Sequence, residues 1–466
     1  MKSIDVAGAA QQLHDIESAA GDDPTREALR VLGDAITVGD ISASTGIAIG
    51  RDIRQVINRF ELSPDAAAAL LDLRVMLASH LGLEASQYRW GTLLADRTRD
   101  FVGRDYVFEA IDDFLDAKPN GYFIVQGDPG LGKSSILSEF VRRTGCVAHF
   151  NVRSLGITSA AQFLQSVCSQ LIADAGLGYS ALPVNATQDG AFLMKLLSEA
   201  RRATPSSQRI VIAVDALDEV DLGAQPSGSN ALFLPMLVPD GVYFVMTRRN
   251  ADIPLSTQAP LEVFDLMKHP AENRADVTSY LEVALTRPAL RAWIAAQPDL
   301  TEEQFAQTLT ELSESNFMYL RHVLPALESG EYSKLTIDRL PNGLQSYYDD
   351  HWRHMGMTAK PLPRAKLRIV YVLCEARQPV SRSLLSELSS DDALDVDVLA
   401  VQQVLDEWKQ FLHEDEAGEP PHYSVYHTSF RDFLHRKDIV KAAGLTIESI
   451  HGLIADKLWE TVFPEG

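Results

Sequence analysis

Cysteine is scarce. The 466-residue chain has three, Cys146, Cys168 and Cys374, with no CxxC pair and no Cys/His cluster. A disulfide framework or a structural zinc site is therefore not expected, and a reducing compartment is. Long apolar runs are also missing. Stretches such as IVIAV at 210–214 fall far short of the ~18 residues of a spanning helix. The opening MKSIDVAGAAQQLHDIE lacks the apolar core of a secretory signal. Together these absences point to a cytoplasmic protein with no membrane partner. Positive charge is in deficit: 42 Lys and Arg face 64 Asp and Glu, a formal net charge of −22. No Lys/Arg block relieves it, so a nucleic-acid backbone would be repelled and is not an expected partner.

What is present is ordinary globular composition, 46% hydrophobic and 23% charged, in a chain long enough for about three domains. Residues 1–33 show helical spacing, broken at GDDP (21–24). Residues 35–60 place Ile, Val and Thr between Gly and Ser, as in short strands or a compact turn-rich element. Ser63, Pro64 and Asp65 open a helix over 63–83, and 84–100 reads as a linker. From 101 the pattern is strand, loop, helix, strand. GYFIVQ (121–126), CVAHFNV (146–152), RIVIAVDAL (209–217) and GVYFVMT (241–247) are unbroken apolar runs that suit a parallel sheet covered on both faces. Helical periodicity returns over 266–345. Segment 363–437 then offers helices near 364–376, 381–388 and 398–411 and a hairpin from FLHE to HYSVYH, the pattern of a winged helix. The expected domains are thus 1–97 (mostly helical), 98–265 (α/β), 266–345 (helical), 346–440 (winged helix) and 441–466, the start of a further helical segment, cut short.

GDPGLGKSS, residues 127–135, has the spacing of a phosphate-cradling loop between a strand and a helix. Gly127, Asp128, Pro129, Gly130, Leu131 and Gly132 would let backbone N–H groups approach phosphate oxygens. Lys133 would reach the β- and γ-phosphates, the Ser134 hydroxyl would coordinate Mg²⁺, and Ser135 closes the motif. In RIVIAVDALDEV, Asp215 ends an apolar strand, where ligands bind in open α/β sheets, and could hold Mg²⁺ through water. Asp218 or Glu219 could position the attacking water. Arg248, ending the next strand in VMTRRN, could sense the γ-phosphate or simply be a surface arginine. FVGRD (101–105) carries Val102, Gly103 and Arg104, where an apolar residue beside a tight turn could line an adenine pocket. His427, in VYHTSFRDFLH, reads from its residue type alone as a structural histidine.

Taken in order over about 100–437, these pieces resemble the STAND class of signalling P-loop NTPases, in its NACHT branch related to NOD-like receptors. FVGRDYVFEAIDDFL, GDPGLGKSS, VDALDEV and FVMTRR resemble that class's nucleotide-binding domain. NFMYLRHVLPAL (316–327) is similar to the end of its helical domain, and LPNGLQSYYDDHW (340–352) to the start of its winged helix. The resemblance implies an ATP/ADP switch with Mg²⁺: ADP holds a closed state, ATP opens it for self-association, and slow hydrolysis resets it. It makes His427 a contact to the ADP β-phosphate and Arg248 a sensor arginine. It also implies an unknown trigger and a downstream effector protein, often in bacterial defence against phage. Where relatives place a proline against adenine, this chain has NFMYL, and residues 1–97 hold no nuclease, protease or TIR-like pattern, as an adaptor region would. Two other readings are an AAA+-type motor and a DNA-binding regulator. Segment 363–437 carries nine Lys/Arg against thirteen Asp/Glu, net −4, which disfavours the regulator.

Overall fold

A computed structural model describes residues 90–462, apart from 180, 298–299, 331–335 and 416–419. The turn-rich element expected at 35–60 and the helix at 63–83 lie outside the described residues. The described chain forms two compact units: 90–128, 132–151 and 158–280 make the first, and 129–131, 152–157 and 281–462 the second.

The first unit begins with α1 (Gly91–Thr98) and α2 (Asp105–Ala117). It continues through β1 (Gly121–Gln126), α3 (Lys133–Thr144), β2 (Val147–Phe150), α4 (Ala160–Ala175) and α5 (Ala191–Ala203). It ends with β3 (Ile210–Asp215), β4 (Val242–Arg248), β5 (Leu261–Asp265) and most of α6 (Pro270–Ala284). The linker expected over 84–100 is instead, from Gly91 to Thr98, a helix. Trp90 and Leu94 anchor it by burial, and the Trp90 indole N–H donates to the Ala148 carbonyl at 3.1 Å.

All five strands are parallel, in the order β2-β3-β4-β1-β5. Successive side chains of a strand point to opposite faces, and here both faces are covered. Tyr122, Ile124, Ile212, Val214, Phe244 and Met246 pack into one cluster with the buried sides of α4 and α5. On alternate positions, Phe123 and Tyr243 meet Phe114 of α2 at ring-centroid distances of 5.5 and 6.3 Å. Such two-sided burial is what makes these strands continuous apolar runs. Strand β5 was not legible in this way, because it lies at the sheet edge with Leu261, Glu262 and Val263 exposed. The strand order places the C-terminal end of β4 between those of β1 and β3. Gln126 thereby pairs with Arg248, and Val214 with Met246.

The second unit holds α7 (Pro288–Ala295), α8 (Glu302–Leu312), α9 (Phe317–Glu328), α10 (Gly343–His354) and α11 (Arg364–Glu375). Next come β6 (Val380–Ser381), α12 (Arg382–Ser389), α13 (Val398–Glu407), β7 (Leu412–Asp415) and β8 (His422–Val425). Helices α14 (Thr428–Leu434), α15 (Lys437–Ala443) and α16 (Ile447–Val462) complete it. The strands form an antiparallel sheet in the order β6-β8-β7. Polar caps set the helix starts: Thr301 and Gln304 form a capping box on α8, and the Asp397 carboxylate accepts from the Ala400 N–H on α13.

Glu375, at the end of α11, ties three helices together. Its fully buried carboxylate accepts from the Arg431 guanidinium (2.8 Å), His435 Nε2 (2.5 Å) and His451 Nε2 (2.7 Å). Burial works to raise its pKa, but the hydrogen bonds from His435 and Arg431 win and hold it well below the usual carboxylate range. Among the described residues no helix is long and apolar enough to cross a membrane.

Candidate functional site

Strand β1 runs directly into the loop at 127–132, and α3 starts at Lys133. Gly132 takes φ 82°, the left-handed region that a Cβ disfavours, and no side chain caps α3. The first-turn N–H groups and the positive end of the helix dipole are thus presented at the C-terminal edge of the sheet. Lys133 Nζ reaches back across the loop to the carbonyls of Gly127 (2.7 Å) and Asp128 (2.9 Å). Burial lowers its pKa to about 8, with Asp218 and Asp215 opposing the shift and Arg249 adding to it. Ser134 and Ser135 follow, half-buried, in the first turn of α3.

The loop apex, Pro129–Leu131, belongs with the second unit. There the Asn316 side-chain amide donates to the Pro129 carbonyl at 3.0 Å, and the Phe317 N–H to the Gly130 carbonyl at 2.9 Å. Gly130 has φ 87°, and a Cβ added to it would lie 2.2 Å from Asn316 Oδ1. Asn316 also accepts from the Tyr319 N–H as the cap of α9. Sequence reasoning placed Asn316 in a motif but gave it no contact.

Asp215 ends β3 with its carboxylate fully buried. Thr247, one residue before the end of neighbouring β4, donates to Oδ1 at 2.5 Å, and Arg97 Nη1 of α1 to Oδ2 at 2.7 Å. The Asn151 side chain holds the Asp215 carbonyl at 2.6 Å. Beyond Asp215 the chain turns sharply: Ala216 has φ 50°, and its N–H donates to Thr247 Oγ1 at 2.8 Å. That turn delivers Asp218 and Glu219 on a short 3-10 segment, Leu217–Glu219. Asp218 is gripped by Arg249, whereas Arg248 donates from Nε to the Gln126 carbonyl oxygen of the side chain at 3.0 Å. Asp218, Arg249 and Asp215 all lie close enough to Lys133 to act on it electrostatically. The sequence reading missed Arg97, Asn151 and Arg249, whose partners lie 118, 64 and 31 residues away. No local signal marks such pairs.

Val102 is half-buried, and Gly103 and Arg104 both take φ 68°. A Cβ on Gly103 would lie 2.1 Å from Asp276 Oδ1, so only glycine fits. Arg104 is buried, and its guanidinium donates to Asn273 Oδ1 (2.5 Å) and the Tyr106 hydroxyl (2.8 Å) and pairs with Asp276 (3.3 Å). These bonds tie the turn to α6. Burial raises the Asp276 pKa, and Arg104 opposes that rise.

His427 lies in the second unit, as the cap of α14. Its Nδ1 accepts from the Ser429 N–H at 3.1 Å. A ring nitrogen that accepts carries no proton, so the neutral imidazole is protonated on Nε2.

Residues 100–239 match the AAA ATPase domain family. This stretch is a P-loop ATPase domain. No curated protein matches the chain. The matched residues of the ATPase domain hold β1, the phosphate loop, α3, β3 and the turn at Asp218 and Glu219, while Arg97, Thr247 and Arg248 lie outside them. Such a domain binds nucleotide, usually with Mg²⁺. The donor set fits that ion: Asp215 is a buried, acceptor-only carboxylate, and Ser134 adds a hydroxyl at the start of α3. Among the described residues no group of three or more His, Cys, Asp or Glu side chains converges into a metal cage. One carboxylate and a hydroxyl suit a hexacoordinate ion that takes its remaining oxygens from phosphates and water.

Proposed function

We propose that the chain is an ATP/ADP-dependent signalling switch of the STAND class with a NACHT-type module. In this reading ADP favours a closed state, ATP favours an open, self-associating one, and slow hydrolysis resets it. The backbone of Gly127–Gly132 and the α3 dipole bind the phosphates, Lys133 neutralises their charge, and Ser134 and Asp215 hold Mg²⁺. When bound there, Mg²⁺ would supply neutralisation of phosphate charge. Glu219 takes a proton from the attacking water as the water oxygen bonds to the γ-phosphorus and the bond to the ADP oxygen breaks, giving ADP and phosphate. Arg248 senses the γ-phosphate.

His427 carries the choice of a switch over a motor. It follows the β7–β8 hairpin, in the position that the winged-helix resemblance assigns to the β-phosphate ligand. Because Nδ1 accepts from the Ser429 N–H, the neutral ring carries its proton on Nε2, the kind of donor such a contact requires. A switch needs only that each nucleotide prefer a different conformer by a few kcal/mol. Self-association on activation, a trigger and a downstream effector belong to the same reading, with phage defence in bacteria as its setting. The test is the nucleotide that co-purifies with the chain, together with light scattering after ATP is added. Tightly held ADP and ATP-dependent assembly support the switch; an empty site with rapid constitutive turnover overturns it in favour of a motor.

A further inference from the structure

Arg97 is not part of the matched ATPase residues, yet its guanidinium lies on the carboxylate to which the proposed function gives Mg²⁺. It is not a mobile surface arginine. Its side chain is 21% exposed, and its guanidinium carbon sits 5.4 Å from the centre of the Phe150 ring. Helix α1 beneath it is fixed by buried Trp90, Leu94 and Thr98, and the Trp90 ring meets Phe150 at 5.0 Å. The Asp215 oxygens are thereby both engaged, Oδ1 by the Thr247 hydroxyl and Oδ2 by Arg97.

We infer that Arg97 is a metal-affinity residue: it competes with Mg²⁺ for Asp215 and so raises the Mg²⁺ concentration the nucleotide site requires. The inference rests on the reading of Asp215 as the Mg²⁺ carboxylate. Two cations bound to one carboxylate would lie within a few ångströms of each other, at a fully buried side chain where screening by water is weak. A dication arriving at Asp215 must therefore displace the guanidinium or suffer its repulsion, and either weakens metal binding. Nucleotide without metal makes no demand on Asp215 and escapes this competition. The device selects against the metal rather than against the nucleotide.

The experiment titrates MgCl₂ into the full chain bound to a fluorescent ADP analogue, and separately measures analogue affinity in EDTA. Arg97→Gln removes the competing charge while keeping a polar side chain. It should lower the Mg²⁺ midpoint by about tenfold or more and leave affinity in EDTA within about twofold. Arg97→Lys keeps a cation and should shift the midpoint less, and it serves as the second variant if Arg97→Gln unfolds. A midpoint that is unchanged or higher in Arg97→Gln overturns the inference; the higher value would make Arg97 a residue that supports the metal complex. Asp215→Asn separates the two readings. It should abolish the effect of Mg²⁺ on analogue affinity, and a wild-type midpoint in Asp215→Asn would overturn the assignment of Asp215 itself, and the inference with it.

Discussion

Arg249 holds Asp218 by two contacts at once: its backbone N–H donates to Oδ1 at 2.9 Å, and its Nε approaches Oδ2 at 3.1 Å. A carboxylate pinned on both oxygens is poorly placed to accept a proton or turn toward water. The proposed function therefore divides the two acidic residues of the Leu217–Glu219 turn, with Asp218 shaping the turn and Glu219 proposed to act on water. Glu219→Gln should lower turnover by about 10²–10⁴-fold with ADP affinity nearly unchanged. Asp218→Asn should instead lower stability by about 1.5–3 kcal/mol, the value of hydrogen bonds to a charged group, with a smaller effect on turnover. Single-turnover hydrolysis and urea unfolding of both variants check this. Equal losses of turnover with unchanged stability would return Asp218 to the catalytic role.

Lys133 should make nucleotide affinity depend on pH. Burial lowers the pKa of its ammonium group to about 8, and bound phosphates would favour the charged form. Above about pH 8, binding must take up a proton, so ADP affinity should fall by up to about tenfold per pH unit. Below that pH this group contributes no slope. Lys133→Ala should weaken ADP binding by about ten- to a hundredfold, from loss of charged hydrogen bonds of ~1.5–3 kcal/mol, and should flatten the alkaline slope. Calorimetric titration with ADP from pH 7 to 9.5 measures both. A slope that persists in Lys133→Ala belongs to another group.

The buried carboxylate of Glu375 should govern acid stability in the second unit. Its pKa is depressed on folding, so its contribution is fully present above the ordinary glutamate value of 4.5 and is lost as pH falls toward the lower folded value. Glu375→Gln should cost about 3–5 kcal/mol, because Arg431, His435 and His451 then lose their common acceptor. Urea midpoints at pH 7 and below pH 4 test the sign: the difference between wild type and variant should shrink in acid.

His427→Ala should release ADP faster, by about ten- to a hundredfold if a charged hydrogen bond of ~1.5–3 kcal/mol is lost. His435 is not a neutral control for this change, since it donates to Glu375 at 2.5 Å. The exposed His354 serves better. Off-rates of a fluorescent ADP analogue equal in wild type and His427→Ala would reduce His427 to the cap of α14.

Trp90→Ala should destabilise the first unit by about 3–5 kcal/mol, the range for a buried aromatic, because the indole is buried and bonded to Ala148. Thermal unfolding would show it. Cutting residues 1–97 would remove this anchor and Arg97 together, so a deletion meant to test an adaptor role should stop at residue 89.

Local order determined much of this protein in the sequence itself. The apolar runs of β1, β3 and β4 and the Gly-Lys-Ser loop between β1 and α3 were legible because burial on two faces and close phosphate approach each demand particular residues at fixed spacing. Asp215 was legible for the same reason, as an acid ending such a run. The tertiary structure alone decided which charges meet. Arg97 was hidden in what reads as a linker, Arg249 and not Arg248 holds Asp218, and Arg104 turns inward to Asn273 and Asp276. An ion pair depends on where two side chains converge in space, and a sequence carries no record of that distance until the sheet has set its strand order.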